Sequence, residues 1–258
     1  MTTVLYPVLF GILILVLWQT KTLHAILHTD TFTLPLPGRI NAIIADNFPT
    51  ILGNTIVTVR VAILGLLIGS AAGYLIAVLV VIFPTLGQGA LAVTSVFTAI
   101  PIVALAPVMN NWTKDVSGVV SVRSAVSKII VVALVCMANM SINAYRGLTE
   151  VKPFSEDLMK VLAAKPVKMF TKLRIPNSVP YIFTALKVGV PSSIITTIVS
   201  EYFAEYLMGI GRQIKENILM AQYAAAWAYI VTACVIGIAL YALLMVVQAL
   251  VMRNRKAR

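Results

Sequence analysis

RGLTEVKPFSEDLMKVLAAKPVKMFTKLRIPNSVP, residues 146–180, is the stretch that decides the fold. Between Arg146 and Arg174 it carries seven Lys or Arg residues against three Asp or Glu residues, and long apolar runs lie on both sides of it. A polar interval of this length, rich in helix-forming residues, is longer than a simple turn between two membrane spans requires. We therefore expect it to present a docking surface on the cytoplasmic side of a membrane.

The composition places the rest of the chain in a lipid bilayer. Of its 258 residues 60% are hydrophobic and 11% are charged, whereas soluble domains carry about 25% charged residues. Because a helix needs roughly 20 apolar residues to cross a bilayer, the sequence predicts one all-α integral membrane domain, residues 1–258, with about six spans. These are Val4–Trp18, Ile56–Phe83, Gly89–Met109, Val126–Ile142, Tyr181–Val199 and Ala225–Met252. The first is short and the second long, so counts of five and seven stay open.

The net charge of +11 fits a membrane topology and needs no nucleic acid as partner. Residues 146–174 have a net charge of +4 (seven minus three), and the tail RNRKAR adds four more basic residues. An even number of spans separates the two segments, so one orientation places both in the cytoplasm, as the positive-inside rule requires. With six spans the N-terminus lies in the cytoplasm too.

Proline and polar positions within the spans indicate a pathway. Pro101 and Pro107 fall in the third span, where each removes a backbone hydrogen bond and can kink the helix. Such a break at membrane depth is tolerated only against protein or a water-filled cavity. The predicted pathway residues are Ser95, Thr98, Pro101, Asn139, Asn143, Ser193 and Glu201. For the Ser and Thr residues, packing between helices is the alternative.

Two acids near the end of the fifth span, Glu201 and Glu205, are four residues apart and are predicted to share one helical face. In one interpretation they contact a transported solute or an external partner. In the other they pair with Arg212 or Lys215 in the following loop.

The polar interval itself divides into two short helices. Ser155 is a predicted N-cap, followed by two acids in the first turn, where the helix dipole favours them. Pro166 interrupts, and a second amphipathic helix follows with Phe170 on its apolar face. Pro176 and Pro180 are predicted to end the interval before the fifth span. Spacing leaves two roles open for these helices: insertion into a protein groove, or attachment to anionic lipid.

The run Leu162-Ala-Ala-Lys-Pro166, followed by Ile175-Pro176 and Val179-Pro180, resembles the cytoplasmic EAA motif of permease subunits of binding-protein-dependent ABC importers. In that family the loop forms a coupling helix that inserts into the ATP-hydrolysing subunit. The resemblance implies docking through residues 154–175, with these contact residues: Ser155, Leu158, Leu162, Ala163, Ala164, Pro166, Phe170 and Pro176.

Ala163 stands where the motif usually has Gly, and Ala disfavours a positive φ. The substitution predicts either a turn that is more helical than usual or a chain that is the less regular half of a heterodimer.

The resemblance covers roughly residues 34–250 and is similar to the nitrate, sulfonate and taurine branch. Within that branch it is closest to importers of pyrimidines, thiamine precursors or riboflavin-like compounds. The motifs that carry it are Leu34-Pro-Leu-Pro37, Asn54-Thr-Ile-Val-Thr-Val-Arg60, Ile100-Pro-Ile-Val-Ala-Leu-Ala-Pro107, and Ser200-Glu-Tyr-Phe203 with Gly209-Ile-Gly211.

Membership would imply a type I ABC importer permease fold in a bacterial cytoplasmic (inner) membrane. The implied partners are a second permease subunit, identical or different, two cytoplasmic ATPases and an extracytoplasmic solute-binding protein. ATP and Mg²⁺ would then bind to the ATPases, and no cofactor is expected in this chain.

The sequence argues against catalysis by the chain itself. It has no GxxxxGK[ST] phosphate loop, so we expect no ATPase site. His24 and His28 have no evident third ligand, so no metal is expected. The alternatives for the whole protein are an ion-gradient-driven secondary transporter, which predicts inverted repeats and acids within spans, and a non-transporting membrane scaffold.

Overall fold

The computed structural model describes the backbone of residues 2–256. Within that range it describes all side chains except those at 2–4, 7, 85–88, 90, 93, 95, 98 and 254–256. All of the regular elements in the described range are helical. They are α1 (Thr2–Gln19), α2 (Thr22–Ile26), α3 (Pro37–Asp46), α4 (Phe48–Ile82), α5 (Pro84–Ala99), α6 (Ile102–Trp112), α7 (Val120–Thr149), α8 (Ser155–Val161), α9 (Pro166–Met169), a π-helical turn (Phe170–Arg174), α10 (Ile175–Tyr202), α11 (Ile210–Leu219) and α12 (Tyr223–Lys256).

Four of the six predicted spans are long single helices. In the described part of the chain, four segments are long and apolar enough to cross a membrane: Phe48–Ile82, Val120–Thr149, Pro166–Tyr202 and Tyr223–Arg253. The first predicted span corresponds to α1, whose apolar part is shorter, Val8–Gln19. The chain is therefore an all-helical, multi-pass membrane protein.

The third predicted span is two helices instead of one kinked helix. Ile100 and Pro101 both adopt extended backbone, with ψ of 123° at each, and they separate α5 from α6. Pro101 disfavours the helical conformation in the residue before it, so the helix ends there. Pro107, in contrast, lies inside α6. The second proline thus does not break its helix as the first does.

The glycines of α4 bring its backbone close to that of α7. Gly65, Gly69 and Gly73 of α4 recur every fourth residue and so lie on one helical face. A Cβ atom added at Gly69 would meet the backbone of Ala133, and one at Gly73 would meet the carbonyl oxygen of Met137. In a bilayer, small residues at this spacing allow two helix backbones to approach closely and pack.

Two sets of contacts define the two ends of the bundle. At the loop end, Gly147 of α7 packs against Ser178 of α10, and the Ser178 hydroxyl lies 3.2 Å from the hydroxyl of Tyr74 in α4. At the opposite end, Asn54 of α4 accepts a hydrogen bond from the backbone of Gly209, just before α11. The polar interval therefore projects from one end, and α11 closes the other.

We predict that Gly69→Ala destabilises the bundle, whereas Gly53→Ala in the same helix does not. The added methyl at Gly69 presses on the Ala133 backbone, and nothing lies within 4 Å of the position it would take at Gly53. Overpacking of this kind costs about 1–3 kcal/mol. Thermal unfolding of the two variants in detergent measures the difference, and equal unfolding temperatures would contradict the packing assigned to the helix pair.

Candidate functional site: the docking loop, the pathway cleft and the buried acid

The first loop helix, α8, begins at Ser155 as its first helical residue. Phe154 precedes it in a left-handed conformation, φ 63° and ψ −4°, and no side chain caps the helix. The predicted N-cap role of Ser155 is therefore wrong by one position. The two acids do lie in the first turn, as predicted: Glu156 and Asp157.

Around α8, four large apolar side chains are exposed. Their exposed fractions lie between 61% and 83%, and we call them the docking face: Phe154, Leu158, Val161 and Leu162. Exposure of apolar side chains to water costs free energy, and contiguous apolar exposure marks an interaction site. Two of them, Leu158 and Leu162, were predicted as contact residues.

A Schellman turn at Ala163 ends α8. The backbone N–H of Ala163 donates to the carbonyl of Lys160 at 2.9 Å, and that of Ala164 donates to Met159 at 2.9 Å. Ala163 adopts a φ of 50°, the left-handed conformation that this turn requires and that Gly usually supplies. The predicted more helical turn is therefore wrong: Ala163 adopts the left-handed conformation and accepts its steric cost.

The second loop helix is continuous with the span that follows it. Pro166 starts α9, and helical backbone continues through the π turn into α10. Pro176 sits in the first turn of α10 and Pro180 lies inside it, so the predicted stop at these prolines is wrong. The wider π turn ends at Arg174, two residues before Pro176, and a wider turn eases the clash between a proline ring and the carbonyl four residues earlier.

Phe170 faces the bundle and so lies apart from the docking face. It packs beside the cluster of Ala77, Met140 and Ala144, which joins α4 to α7. An ion pair, Arg174 Nη2 to Glu156 Oε1 at 2.9 Å, ties this segment back to the first turn of α8. Phe170 thus anchors the loop, while α8 presents the exposed residues.

A cleft of about 390 Å³ opens beside the break between α5 and α6. Its lining brings together two predicted pathway residues, Pro101 and Asn139, with Phe97, Ala99, Ile100, Ile102 and Val135. An amide and an aromatic ring in an otherwise apolar wall form a lining that can both hold and orient a small solute.

The other predicted pathway residues lie elsewhere. Asn143 donates its side-chain amide to the carbonyl of Asn139 at 2.8 Å. Ser193 is buried and donates to the carbonyl of Val190 in its own helix at 2.7 Å. The side chains of Ser95 and Thr98 lie outside the described part of the structure.

Glu201 is fully buried at the opposite end of the bundle. Both of its carboxylate oxygens lie 2.9 Å from the hydroxyl of Thr58 in α4. The backbone N–H of Gly211 donates to one of them at 2.9 Å, and that of Ile210 donates to the Thr58 hydroxyl at 2.9 Å. The acid therefore fastens the start of α11 to α4 and α10.

Glu201 and Glu205 were predicted to share one helical face and, in one interpretation, to pair with Arg212 or Lys215; both predictions are wrong. Because α10 ends at Tyr202, Glu205 lies beyond the helix and shares no helical face with Glu201. Glu205 pairs with Arg123 of α7 at 2.6 Å, and Arg212 pairs with Glu216 within α11.

Gly209 and Gly211 make room for the buried carboxylate. Gly209 has a φ of 115°, and a Cβ atom at either glycine would run into the Glu201 side chain. The Gly-Ile-Gly spacing noted in the sequence thus has a local physical reason.

Sequence reasoning missed Lys128, a cation that is 99% buried in α7. Its ammonium group lies 5.9 Å from the centroid of the Tyr206 ring. It makes no direct ion pair with Glu201, and the two opposite charges attract each other over a longer distance. A single Lys within the apolar run of a predicted span was the available signal, since charges in spans face partners or cavities.

The described residues include no group of three or more His, Cys, Asp or Glu side chains that could hold a metal ion. His24 is buried, and its Nε2 lies 2.6 Å from the carbonyl oxygen of Leu34. That contact orders the segment before α3.

Two curated relatives resemble most of the chain. One is the formylaminopyrimidine transport permease protein ThiX of Halalkalibacterium halodurans, 24% identical over 77% of this chain and 75% of its own. The other is a probable ABC transporter permease protein of Haemophilus influenzae, 25% identical over 77% of each chain. A shorter likeness, 30% identity over 32% of this chain, is to the bicarbonate transport permease CmpB of Synechocystis.

Solved structures share the fold. A crystal structure of an amino acid ABC transporter with histidines superposes with a TM-score of 0.64 over 82% of this chain and 96% of that one, at 17% identity. The inward-facing MetNI methionine ABC transporter gives 0.58 over 80% and 94%, at 15% identity. Both likenesses confirm the predicted type I permease fold.

The family model for the binding-protein-dependent transport system inner membrane component matches residues 65–256, which is more than half of the chain. That range includes the docking loop, the cleft and the buried acid. The chain belongs to this family and is a permease subunit of an ABC importer, a membrane component that works in a complex with ATPases and a binding protein.

Proposed function

We propose that this permease docks cytoplasmic ATPase subunits through residues 154–175, and that the docking face of α8 makes the central contact. The observation that carries the proposal is the exposure of four large apolar side chains on a short helix at one bundle end. Such residues form the buried core of an interface when a partner covers them. ATP and Mg²⁺ bind to those partners, and this chain supplies no ATPase site of its own.

The loop is mechanically joined to the far end of the bundle. Helical backbone runs without interruption over Pro166–Tyr202, 37 residues, which at 1.5 Å per residue is about 55 Å. The Arg174–Glu156 pair ties α8 to this helix. Movement of a docked ATPase is thereby transmitted to Glu201 as a tilt or shift of one rigid element, which is how packed helices change state.

The transported solute is proposed to pass along the cleft beside Pro101 and Asn139. A volume of about 390 Å³ with apolar walls and one amide suits a small organic ring compound. The relative named for formylaminopyrimidine transport supports this class of solute. A second permease subunit, identical or different, completes the pathway, and a solute-binding protein delivers the solute at the opposite end.

The positive-inside rule gives the orientation that docking of cytoplasmic ATPases requires. The basic loop and the basic tail face the cytoplasm of a bacterial inner membrane, and both chain ends lie there. The opposite end, with α11 and the buried Glu201, then faces outward.

The first prediction concerns docking. Leu158→Asp and Val161→Asp place a charge in the proposed interface, so the ATPase subunits should no longer co-purify with the permease. Leu207→Asp is the matched control, since Leu207 is 60% exposed but lies next to α11 at the opposite end. Retention of the ATPase by both loop variants would contradict the assignment of the docking face.

The second prediction concerns the Schellman turn. Ala163→Gly removes the cost of a left-handed Ala, about 1 kcal/mol, and should raise ATPase affinity about fivefold, because the free loop then occupies its bound geometry more often. Ala163→Val should weaken binding. Ala164→Gly is the control, since Ala164 has no positive φ. Affinity measured by titrating ATPase onto detergent-solubilised permease tests this, and weaker binding by Ala163→Gly would contradict it.

The third prediction assigns Glu201 and Lys128 a structural role as one pair. Each of Glu201→Gln and Lys128→Met leaves a buried charge unbalanced, and each should lower the free energy of unfolding by about 3–5 kcal/mol. The double variant should lose clearly less than the sum, whereas Glu205→Gln, at an exposed pair, should cost at most about 1 kcal/mol. Denaturant unfolding in detergent measures all four, and strictly additive losses would show that the two groups do not interact.

A further inference from the structure

A second cleft lies at the loop end, between the last turn of α4 and the second loop helix. Its volume is about 530 Å³, and it is lined by Val81, Ile82, Pro166, Val167, Met169, Phe170 and Arg174. Six of these seven residues are apolar. The cleft is separate from the docking face, since no residue of α8 lines it.

This cleft lies at the cytoplasmic boundary of the hydrocarbon core. The apolar helix α4 ends at Ile82, and the neighbouring span rises from Arg174. Ile82 is 52% exposed and Val167 is 74% exposed, so the walls lie open at the level where the hydrocarbon core meets lipid headgroups.

Basic residues dominate the chain segment that lines the cleft. From Lys165 to Arg174 the chain holds four basic residues and no acid. Lys165, Lys168 and Lys172 are exposed. Arg174 pairs through one nitrogen, Nη2, with Glu156, and a guanidinium has five N–H donors in all, so donors remain for a second anion.

We propose that this cleft binds one anionic phospholipid, with an acyl chain against Ile82 and Phe170 and the headgroup phosphate against Arg174 and the lysines. An apolar slot closed at its polar end by cations matches both parts of such a lipid. A basic segment within a Debye length of the membrane is attracted to anionic headgroups.

The lipid would act as a wedge that holds the docking loop in place. Within the protein, Phe170 is the side chain by which the π turn reaches the cluster between α4 and α7. A bound acyl chain fills the space beside Phe170 and braces α9 against α4. This consequence rests on the proposed docking function, because the braced segment is the one that presents α8 to the ATPase.

The test uses the assembled permease–ATPase complex in nanodiscs of phosphatidylcholine alone or of phosphatidylcholine mixed with phosphatidylglycerol. Native mass spectrometry counts phosphatidylglycerol retained by the permease, and ATPase turnover is measured on the same samples. We expect the wild-type complex to retain one phosphatidylglycerol per copy of this permease and to turn over several-fold faster in the mixed lipid.

Two variants remove the site in different ways. Ile82→Trp fills the cleft from an exposed position, and the pair Lys168→Gln with Lys172→Gln removes rim charge; each should abolish both retention and stimulation. The control pair, Lys152→Gln with Arg253→Gln, removes equal charge from the cytoplasmic side of the protein, away from the cleft and outside residues 154–175, and should leave both unchanged.

Three outcomes would overturn the proposal. Equal loss in the control pair would show a diffuse charge effect, and undiminished retention by Ile82→Trp would place the lipid elsewhere. Loss of co-purified ATPase from Ile82→Trp, with lipid retention unchanged, would show that the ATPase itself covers the cleft. Failure of docking is scored separately, since lipid retention is read on the permease whether or not ATPase is bound.

Discussion

The backbone contact between α4 and α7 is the constraint on which the other parts of the structure depend. Lipid chains are as apolar as leucine, so no hydrophobic force joins two helices inside a bilayer, and close packing must do so instead. Gly65, Gly69 and Gly73 provide it by leaving the α7 backbone in direct contact. Because α7 also carries Asn139 into the cleft and Lys128 towards Glu201, the glycine face of α4 sets the position of both.

The second structural theme is that one helix serves both ends of the molecule. The segment Pro166–Tyr202 begins in the basic loop and ends at the buried acid. Prolines inside a helix ordinarily weaken its backbone hydrogen bonding. Here the π turn precedes Pro176, and neighbouring helices pack along the rest of the segment. A large rotation of the loop would therefore strain the hydrogen bond between Thr58 and Glu201, two residues that lie 143 positions apart in the sequence.

Sequence reasoning succeeded where the signal was local. The apolar runs, the break at Pro101, the acids at the start of α8 and the basic loop all follow from composition and near-neighbour chemistry. It failed at Ala163, where propensity argues against the φ of 50° that the turn imposes. The partners of Glu201 were also out of reach, because they come from α4 and α11 and only packing brings them together. Two missed signals were legible in the sequence: the four-residue glycine repeat of α4 and the lone Lys of α7.

The distribution of rigidity follows from these contacts. At the opposite end, buried hydrogen bonds join α4, α10 and α11, and separating them leaves the buried Glu201 carboxylate without these donors. At the loop end, the apolar side chains of α8 are exposed, and their burial against a partner lowers the free energy. Between the two, Ile100 and Pro101 lack helical backbone, and residues of this kind absorb dihedral change most easily when elements shift. A conformational change around the cleft is therefore easiest at this break between α5 and α6, which also forms part of the cleft wall.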